Sequence, residues 1–236
     1  MAKWNEESLA NYRGKVADAL SRHEMVRVCP YLARIHTGSG NAKTDMMNEG
    51  TSSGSCGSCD ASCVGDCEGM CYVMTHVDGV RPHCLDRHAE NLQARRGDPL
   101  AYYETHFSRA EKAGVPLRVN ETGDFETVAD VKAFMSAAVA HPTVKVVGYT
   151  KRWALLAHVA KCNELPNVQL HFSLACFRKG EATARRLGVP CTSITFDRSE
   201  VNCPAQRLPK GKWHCRMCAE RGCGCFSPKD VMFLAH

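Results

Sequence analysis

The middle of the chain alternates short apolar stretches with stretches of helical periodicity. Apolar and β-branched residues predict strands at Leu117 to Asn120, Val144 to Val147, Val168 to Phe172 and Cys191 to Phe196. Between the first two strands, apolar positions from Val128 to Ala138 recur at helical spacing behind Thr127-Val-Ala-Asp130, a capping-box sequence that marks a helix start. Helical connections of this length imply parallel pairing of the strands that they join.

Two more strands complete the predicted sheet, one around Leu32 to His36 and one at Val231 to Leu234. The pattern therefore predicts an α/β fold with a partial, about six-stranded parallel β/α barrel. An open doubly wound sheet is the alternative, because periodicity does not distinguish a closed sheet from an open one. The chain divides into an amphipathic N-terminal helix within 1–28, a barrel core at 29–200 with a Cys-rich loop at 40–72, and a Cys-rich C-terminal segment with the last strand at 201–236.

Polar residues cluster after the predicted strands, at the carboxyl ends where α/β folds bind their ligands. We expect a ligand-binding rim that consists of Asn120, Glu121, Asp124, Tyr149, Lys151, His171, Ser173 and Arg198. Each of these residues alone is equally well explained as a helix cap or a surface residue. Because a charged group at a strand end stays solvated at little cost, we also predict that Asp124 and Lys151 face the barrel mouth.

Composition excludes several classes of protein. The 236 residues are 44% hydrophobic, enough for a core without disulfide support, and no apolar run approaches the roughly 20 residues of a membrane span. The first residues contain no apolar stretch of the secretory type, so we expect a cytoplasmic protein without membrane association. The net charge of +5 favours an anionic partner. Basic residues around Trp213 and Phe226 suit nucleic-acid contact, but a solvated surface explains them too.

Ten of the fifteen cysteines fall into two groups. The N-terminal group contains Cys56, Cys59, Cys63, Cys67 and Cys71, and the C-terminal group contains Cys203, Cys215, Cys218, Cys223 and Cys225. In a reducing cytoplasm such groups bind metal rather than form disulfides. The three-residue gaps from Cys59 to Cys71 are nearer to iron–sulfur binding loops than to zinc fingers. We therefore expect one or two iron–sulfur clusters of the [4Fe–4S] type, with zinc as the alternative metal.

Other residues are weaker metal candidates. His83 and His214 each adjoin a cysteine, but neighbouring side chains rarely converge on one metal. The cysteines that fall within predicted strands or helices are expected to be free and buried in the core; these are Cys29, Cys162, Cys176 and Cys191.

Several motifs, in a fixed order between the two cysteine groups, resemble one family. They are RHAENL from Arg87, RVNETGDF from Arg118, VVGYTKR from Val146, VQLHFSLA from Val168 and a tail of the form CPAQ…C-x₂-C…VMFLAH. With a Cys-rich loop that ends C-x₃-C-Y, they resemble the gene-product-88-like proteins of bacteriophages and mobile elements over about residues 30–236. Those proteins are in turn distantly similar to radical SAM enzymes.

The resemblance implies a partial barrel with a cluster in the loop after the first strand and S-adenosylmethionine near Gly123-Asp124. The chain departs from the radical SAM motif C-x₃-C-x₂-C, since Cys56, Cys59 and Cys63 give the reverse order. Two functions remain open. One is a cluster-dependent enzyme that acts on a small-molecule or nucleotide ligand. The other is a non-catalytic, metal-stapled protein that binds nucleic acid or a host protein; an open coordination position on the first metal would distinguish the enzyme.

Overall fold

The computed structural model describes residues 6–29, 31, 34–39, 45–51, 82–174, 180–209 and 212–234. Within these ranges the chain forms one sheet whose strands follow sequence order: β1 Gly38–Ser39, β2 Met47–Asn48, β3 Leu117–Val119, β4 Val146–Thr150, β5 Val168–Ser173, β6 Cys191–Thr195 and β7 Val231–Leu234. The edge strand β1 pairs antiparallel with β2, and every later neighbour pairs parallel. The parallel strands β2–β7 curl into a half-barrel with flanking helices, which confirms the predicted partial barrel.

In the described ranges, two helices precede the sheet and seven lie between its parallel strands. They are α1 Glu6–Arg22, α2 Glu24–Val28, α3 Pro82–Gly97, α4 Pro99–Ala113, α5 Val128–Ala140, α6 Leu156–Cys162, α7 Glu181–Arg186, α8 Pro204–Arg207 and α9 Cys215–Arg221, with 3₁₀ turns at Trp153–Leu155 and Gly224–Phe226. No helix in these ranges combines the length and the apolar composition that a membrane span requires.

Local sequence signals explain where several helices begin. Thr127 and Asp130 form the predicted capping box of α5: the Asp130 amide donates to Thr127 Oγ1 at 3.1 Å, and Asp130 Oδ2 accepts from the Thr127 amide at 3.1 Å. Helix α4 starts with Asp98 accepting from the Ala101 amide and Pro99 in the first turn. It ends at Gly114, whose φ of 63° is the left-handed conformation that glycine favours.

The apolar core lies between the sheet and helices α4, α5 and α6. Alternation along β3, β4 and β5 directs one set of side chains to the helices, and this set is almost fully buried: Leu117, Val119, Val146, Val168, Leu170 and Phe172. Gly148 belongs to the same face, where a Cβ would lie 2.8 Å from Leu170 Cδ2. The helices add Tyr103, Phe107 and Phe134, whose rings meet edge-on or tilted.

The predicted first strand at Leu32 to His36 is wrong for the described part of that stretch. Residues 34–37 carry no regular secondary structure, and β2 at Met47–Asn48 takes the place beside β3 instead, within the predicted Cys-rich loop. The reason is that α3 side chains satisfy the backbone there. Glu90 accepts from the Arg34 amide at 2.8 Å, and Asn91 accepts from the His36 amide at 2.8 Å.

The cysteines that were predicted to lie in the core differ in their burial. Cys162 and Cys191 are buried and free, as predicted. Cys29 is only half-buried, because it lies just beyond α2 rather than within an element. Cys176 lies outside the described residues.

Candidate metal-binding site

The sheet has a second face, opposite the helices, which is unusually polar. Alternation places Asn48, Arg118, Tyr149, Gln169 and His171 on this side, which we call the inner face. Register puts Asn48 beside Arg118 and Tyr149 beside His171. The Arg118 guanidinium lies 5.4 Å from the centroid of the Tyr149 ring, and the Tyr149 and His171 rings are 6.0 Å apart. A half-barrel thus presents charged and hydrogen-bonding groups where a closed barrel would pack apolar layers.

The C-terminal segment covers this inner face. Tyr149 donates its hydroxyl to Cys225 Sγ at 3.0 Å, and His171 donates from Nε2 to the Cys225 carbonyl at 2.7 Å. The Phe233 ring of β7 packs edge-on against Tyr149. A small apolar cluster of Val201, Cys203 and Val231 anchors the segment beside β6 and β7. The two contacts from Tyr149 and His171 fix the backbone and the sulfur atom of Cys225 against the sheet.

The C-terminal cysteine group (Cys203, Cys215, Cys218, Cys223 and Cys225) is free of disulfides. Cys218 lies in hydrogen-bonding contact with Cys223 and within electrostatic range of Cys215. Cys225 interacts electrostatically with both Cys203 and Cys215. Trp213 donates its indole N–H to Cys218 Sγ at 3.0 Å. The five thiols, separated along the chain, are therefore neighbours in the fold.

Burial controls the charge of these thiols. Removal from water raises the pKa of both Cys218 and Cys225 to about 12. The hydrogen bond from Trp213 opposes the rise in the pKa of Cys218, and Tyr149 with Arg118 opposes that of Cys225. Cys218 and Cys225 are accordingly protonated at neutral pH unless a cation stabilises the thiolates.

No three His, Cys, Asp or Glu side chains within the described ranges converge tightly enough to hold a metal ion. The donor set itself fits a thiophilic metal, because sulfur ligands select zinc and iron–sulfur clusters. A thiol has three staggered χ1 positions, so rotation redirects its sulfur without moving the backbone. In the described part of the chain, the cysteine side chains as they stand do not form such a site.

The N-terminal cysteine group from Cys56 to Cys71 lies outside the described residues. The chain enters segment 52–81 at the carboxyl edge of the sheet: the Thr51 amide donates to the Thr122 carbonyl at 3.0 Å, and Thr122 Oγ1 donates to the Thr51 carbonyl at 2.9 Å. The segment follows β2, the first parallel strand, and the chain resumes in α3. His83 belongs to α3, but its side chain is not among those described.

The C-terminal segment reaches from the inner face to the amino ends of the strands. Helix α9 extends toward the amino ends of the strands, where Arg216 and Glu220 line a shallow pocket together with Pro116 and Lys145. Arg216 also pairs with Asp45, just before β2, at 3.6 Å. This ion pair and the contacts of Cys225 draw the segment across the inner face. His214, at the start of α9, is half-buried.

Asp124 is not solvated, contrary to the prediction. It is 2% exposed and accepts from the Phe125 amide at 2.8 Å, from Thr150 Oγ1 at 2.7 Å and from the Lys151 amide at 2.7 Å. Burial nevertheless raises the pKa of Asp124 from its ordinary value of 3.8 to about 6. The carboxyl group joins the ends of β3 and β4, and Lys151 takes part through its backbone.

The other predicted rim residues divide into two sets. Asn120 donates to the Tyr149 carbonyl at 3.3 Å, and Glu121 accepts from Asn48 at 3.2 Å and lies 3.8 Å from Arg118, so these residues join the inner face with Tyr149 and His171. Ser173 is half-buried at the end of β5. Arg198 is exposed and bonds to the Gln206 carbonyl at 3.4 Å, which places it with α8 instead.

A buried charge network behind the rim was not predicted from the sequence. Arg95 of α3 is 0% exposed and donates to the Asp124 carbonyl at 2.7 Å. Glu49, also 0% exposed, accepts from the Tyr102 hydroxyl at 2.6 Å and the Asn120 amide at 2.8 Å. Burial raises the pKa of Glu49, while Arg95 opposes the rise. The available signal was RHAENL near the start of α3, which contains the buried residues Ala89, Asn91 and Leu92 and ends three residues before Arg95.

Some polar atoms of the inner face lack a hydrogen-bond partner in the described part of the chain. They are buried and comprise Asn48 Oδ1, Arg118 Nε, Gln169 Nε2 and His171 Nδ1. Because His171 donates from Nε2 to a carbonyl, its Nδ1 carries a lone pair. Burial also lowers the pKa of His171, which favours the neutral ring. The inner face thus offers both donors and acceptors to a bound group.

Together these features define a class: an α/β half-barrel protein whose inner face is covered by its own cysteine-rich C-terminal segment. Comparison with known families then places the chain. The Gene product 88 family matches residues 33–224, most of the length, and the chain belongs to that family. No curated protein and no solved structure matches it.

Proposed function

We propose that this Gene product 88 family member is an iron–sulfur protein whose C-terminal cysteine group holds a cluster against the inner face. The observation that carries the proposal is that the segment covering the inner face contains five cysteines without disulfides, two of which accept hydrogen bonds from Tyr149 and Trp213. Such a site suits thiolate-bound iron or zinc, and the closely spaced N-terminal cysteines favour iron with sulfide.

A second candidate function is catalysis of the radical SAM type. Two observations favour it: the N-terminal cysteines follow the first parallel strand of a half-barrel, and the inner face holds unpartnered polar atoms within the described residues. In this function the N-terminal group would hold a cluster with one open iron, and S-adenosylmethionine would lie against the inner face beside Arg118 and Glu121. A cofactor of this kind supplies radical chemistry, while the chain's own residues orient the ligand.

The test is anaerobic purification followed by analysis of iron, acid-labile sulfide and zinc. We expect iron and sulfide in comparable amounts, with a brown colour and the broad visible absorption of a cluster. A colourless protein with stoichiometric zinc, and no sulfide after reconstitution, would refute the iron–sulfur proposal and leave a zinc-stapled binding protein.

A matched pair of variants locates the C-terminal cluster. Cys218 and Cys162 are both buried, 5% and 0% exposed, but Cys162 packs in the apolar core away from the other thiols. Cys218→Ala should therefore reduce the bound iron, whereas Cys162→Ala should leave it unchanged at similar cost in packing. Equal iron in both variants would move the cluster away from the C-terminal group. Binding of S-adenosylmethionine by equilibrium dialysis then separates the enzyme from a purely structural role.

A further inference from the structure

Helix α9 ends in a turn that has a cysteine on each side of it. Gly222 closes the helix in the left-handed conformation that glycine favours, with a φ of 60°, and its amide donates to the Cys218 carbonyl. The Cys223 amide donates to the same carbonyl at 3.1 Å. This second bond is the one that characterises a Schellman motif, in which the two residues that it joins frequently bring their side chains into contact. In this chain both of those residues are cysteines.

The sulfur atoms follow the backbone. The thiols of Cys218 and Cys223 are in hydrogen-bonding contact. Cys218 Sγ also packs on the backbone just beyond Cys223, since a Cβ placed on Gly224 would lie 3.2 Å from this sulfur atom. The Phe226 amide donates to the Cys223 carbonyl at 3.1 Å and so fixes the chain in this position. The contact between the two thiols is therefore part of the local fold and does not depend on a bound group.

The two thiols differ in their access to solvent. Cys218 is 5% exposed, whereas Cys223 is half-buried and reachable from solution. Trp213 donates its indole N–H to Cys218 Sγ at 3.0 Å, and a donor of this kind stabilises a thiolate more than a neutral thiol. The next cysteine along the chain, Cys225, has its sulfur atom against the Tyr149 hydroxyl instead. A small oxidant thus meets Cys223 first, and Cys218 is the thiol placed to react second.

We propose that Cys218 and Cys223 form a reversible dithiol–disulfide couple that exchanges with low-molecular-weight disulfides and locks the end of α9. The Cys223 thiolate attacks one sulfur atom of the small disulfide, breaks its S–S bond, releases one thiol and leaves a mixed disulfide on Cys223. The Cys218 thiolate then attacks the Cys223 sulfur atom and releases the second thiol. The protein loses two electrons, the small disulfide gains them, and the two cysteine protons pass to the released thiols. This inference goes beyond the proposed function, because it requires two thiols and no metal.

The disulfide connects α9 covalently to the chain that leads to Cys225. The sulfur atom and the carbonyl of Cys225 are held against the inner face by Tyr149 and His171. In the reduced protein, the same connection depends on the two amides that donate to the Cys218 carbonyl. The redox state of one cysteine pair thereby sets how firmly the covering segment is held over the inner face.

The experiment equilibrates the full-length protein, as isolated under anaerobic conditions, in glutathione buffers with increasing proportions of glutathione disulfide. The remaining thiols are blocked with N-ethylmaleimide, and the chain is digested with trypsin without reductant. Cleavage after lysine and arginine places Cys218 in the peptide 217–221 and both Cys223 and Cys225 in the peptide 222–229. We expect these two peptides to be joined, with the maleimide group on Cys225. Because buried thiols exchange slowly, the joined fraction is measured at equilibrium.

A matched pair of variants at Gly222 tests the role of the turn. Nothing lies within 4 Å of a Cβ at this position, so a side chain changes the conformational preference without a clash. Valine is strained in the left-handed conformation, whereas asparagine adopts it readily. Gly222→Val should therefore lower the equilibrium constant for the disulfide by about 5- to 30-fold, and Gly222→Asn should retain it. Gly188→Val, at the equally open left-handed position beyond α7, is the control for a general loss of stability and should leave the link unchanged.

The outcomes separate this inference from the proposed function. A link from Cys218 to Cys225 or Cys215 instead would overturn the inference, and so would glutathione on Cys223 without a link. Equal equilibrium constants in the wild-type protein and both Gly222 variants would overturn it as well. A link that forms while bound iron is retained would support the inference and contradict a cluster at Cys218. No link at any proportion of glutathione disulfide would overturn the inference, whatever the iron content of the protein.

Discussion

Replacement of Asp124 by alanine tests the joint between β3 and β4. The carboxyl group accepts three hydrogen bonds, and its removal would leave the hydroxyl of Thr150, 1% exposed, without its 2.7 Å acceptor. The amides of Phe125 and Lys151 lose their acceptor as well. An ordinary hydrogen bond contributes about 0.5–1.5 kcal/mol, and an unsatisfied buried donor costs about 1–3 kcal/mol. Asp124→Ala should therefore lower the free energy of unfolding by about 3–5 kcal/mol where the carboxyl is best accommodated.

The loss of stability in Asp124→Ala should depend on pH, and the pKa of Asp124 sets the direction of this dependence. The folded pKa of about 6 exceeds the ordinary value of 3.8, so burial disfavours the charged carboxylate by about 3 kcal/mol. Stability from this group is fully present below the unfolded pKa and is lost as pH rises through the folded pKa. About 2 kcal/mol of it is lost between roughly pH 4.5 and 7.5. Alanine carries no such penalty, so Asp124→Ala should be less damaging at pH 7.5 than at pH 4.5.

Urea denaturation of both proteins at the two pH values measures this difference. Asp197→Ala is the control, because Asp197 is exposed and its hydrogen bonds to Ser199 are local. It should cost well under half the value for Asp124 at either pH. A cost below about 1 kcal/mol for Asp124→Ala at both pH values would return this carboxyl to the solvated rim. An equal, large cost at both values would show that burial does not shift its pKa.

Two further predictions concern packing and buried charge. Gly148→Ala should lower the free energy of unfolding by about 1–3 kcal/mol in thermal or urea denaturation, because the new Cβ would lie 2.8 Å from Leu170 Cδ2. Gly14→Ala in α1 is the control: nothing lies within 4 Å of its Cβ, so it should stabilise the protein by about 0.5–1 kcal/mol. Stabilisation at both sites would contradict the contact at Gly148. Arg95→Met should lower the free energy of unfolding by about 3–5 kcal/mol, because it removes a fully buried charge from its acidic partners. Arg96→Met is the control: Arg96 is 33% exposed, so its replacement should cost about 1 kcal/mol or less. Similar losses in both variants would refute the buried network.

The sequence predicted the parallel strands well where apolar runs were flanked by helical periodicity. Strand β7 at Val231–Leu234 has the predicted limits, and β3, β5 and β6 differ by a residue at one end. The prediction was wrong for the first strand, because β2 is only two residues long, Met47–Asn48, and lies in a polar stretch. Its pairing depends on contacts with β3 and on Asn91 of α3, which are distant in sequence. Periodicity does not register such tertiary effects.

Prediction of the candidate site was limited in a different way. Strand ends identified Asn120, Tyr149 and His171, which do meet or adjoin the inner face. The same rule could not tell which side chains the fold would turn inward, and so it placed Asp124 in solvent. It also missed Arg118, a mid-strand residue whose side chain reaches Glu121 and the Tyr149 ring. Alternation along the strand assigns Arg118 to one face of the sheet. Only the folded structure shows that residues near 225 cover this face.

The composition of the covering segment favours a cross-link within it. A half-barrel leaves its inner face exposed, and here the cover contains few apolar side chains: Val201 and Val231 are its only buried aliphatic residues among those described from 201 onward, apart from Ala219. Burial of so few side chains contributes only a few kcal/mol, while ordering each residue of such a segment costs about 1–2 kcal/mol in backbone entropy. Hydrogen bonds from Tyr149 and His171 to Cys225 align the cover without supplying a core. Metal coordination by thiolates contributes folding free energy directly, which is the role we propose for the five cysteines that the cover carries in place of apolar residues.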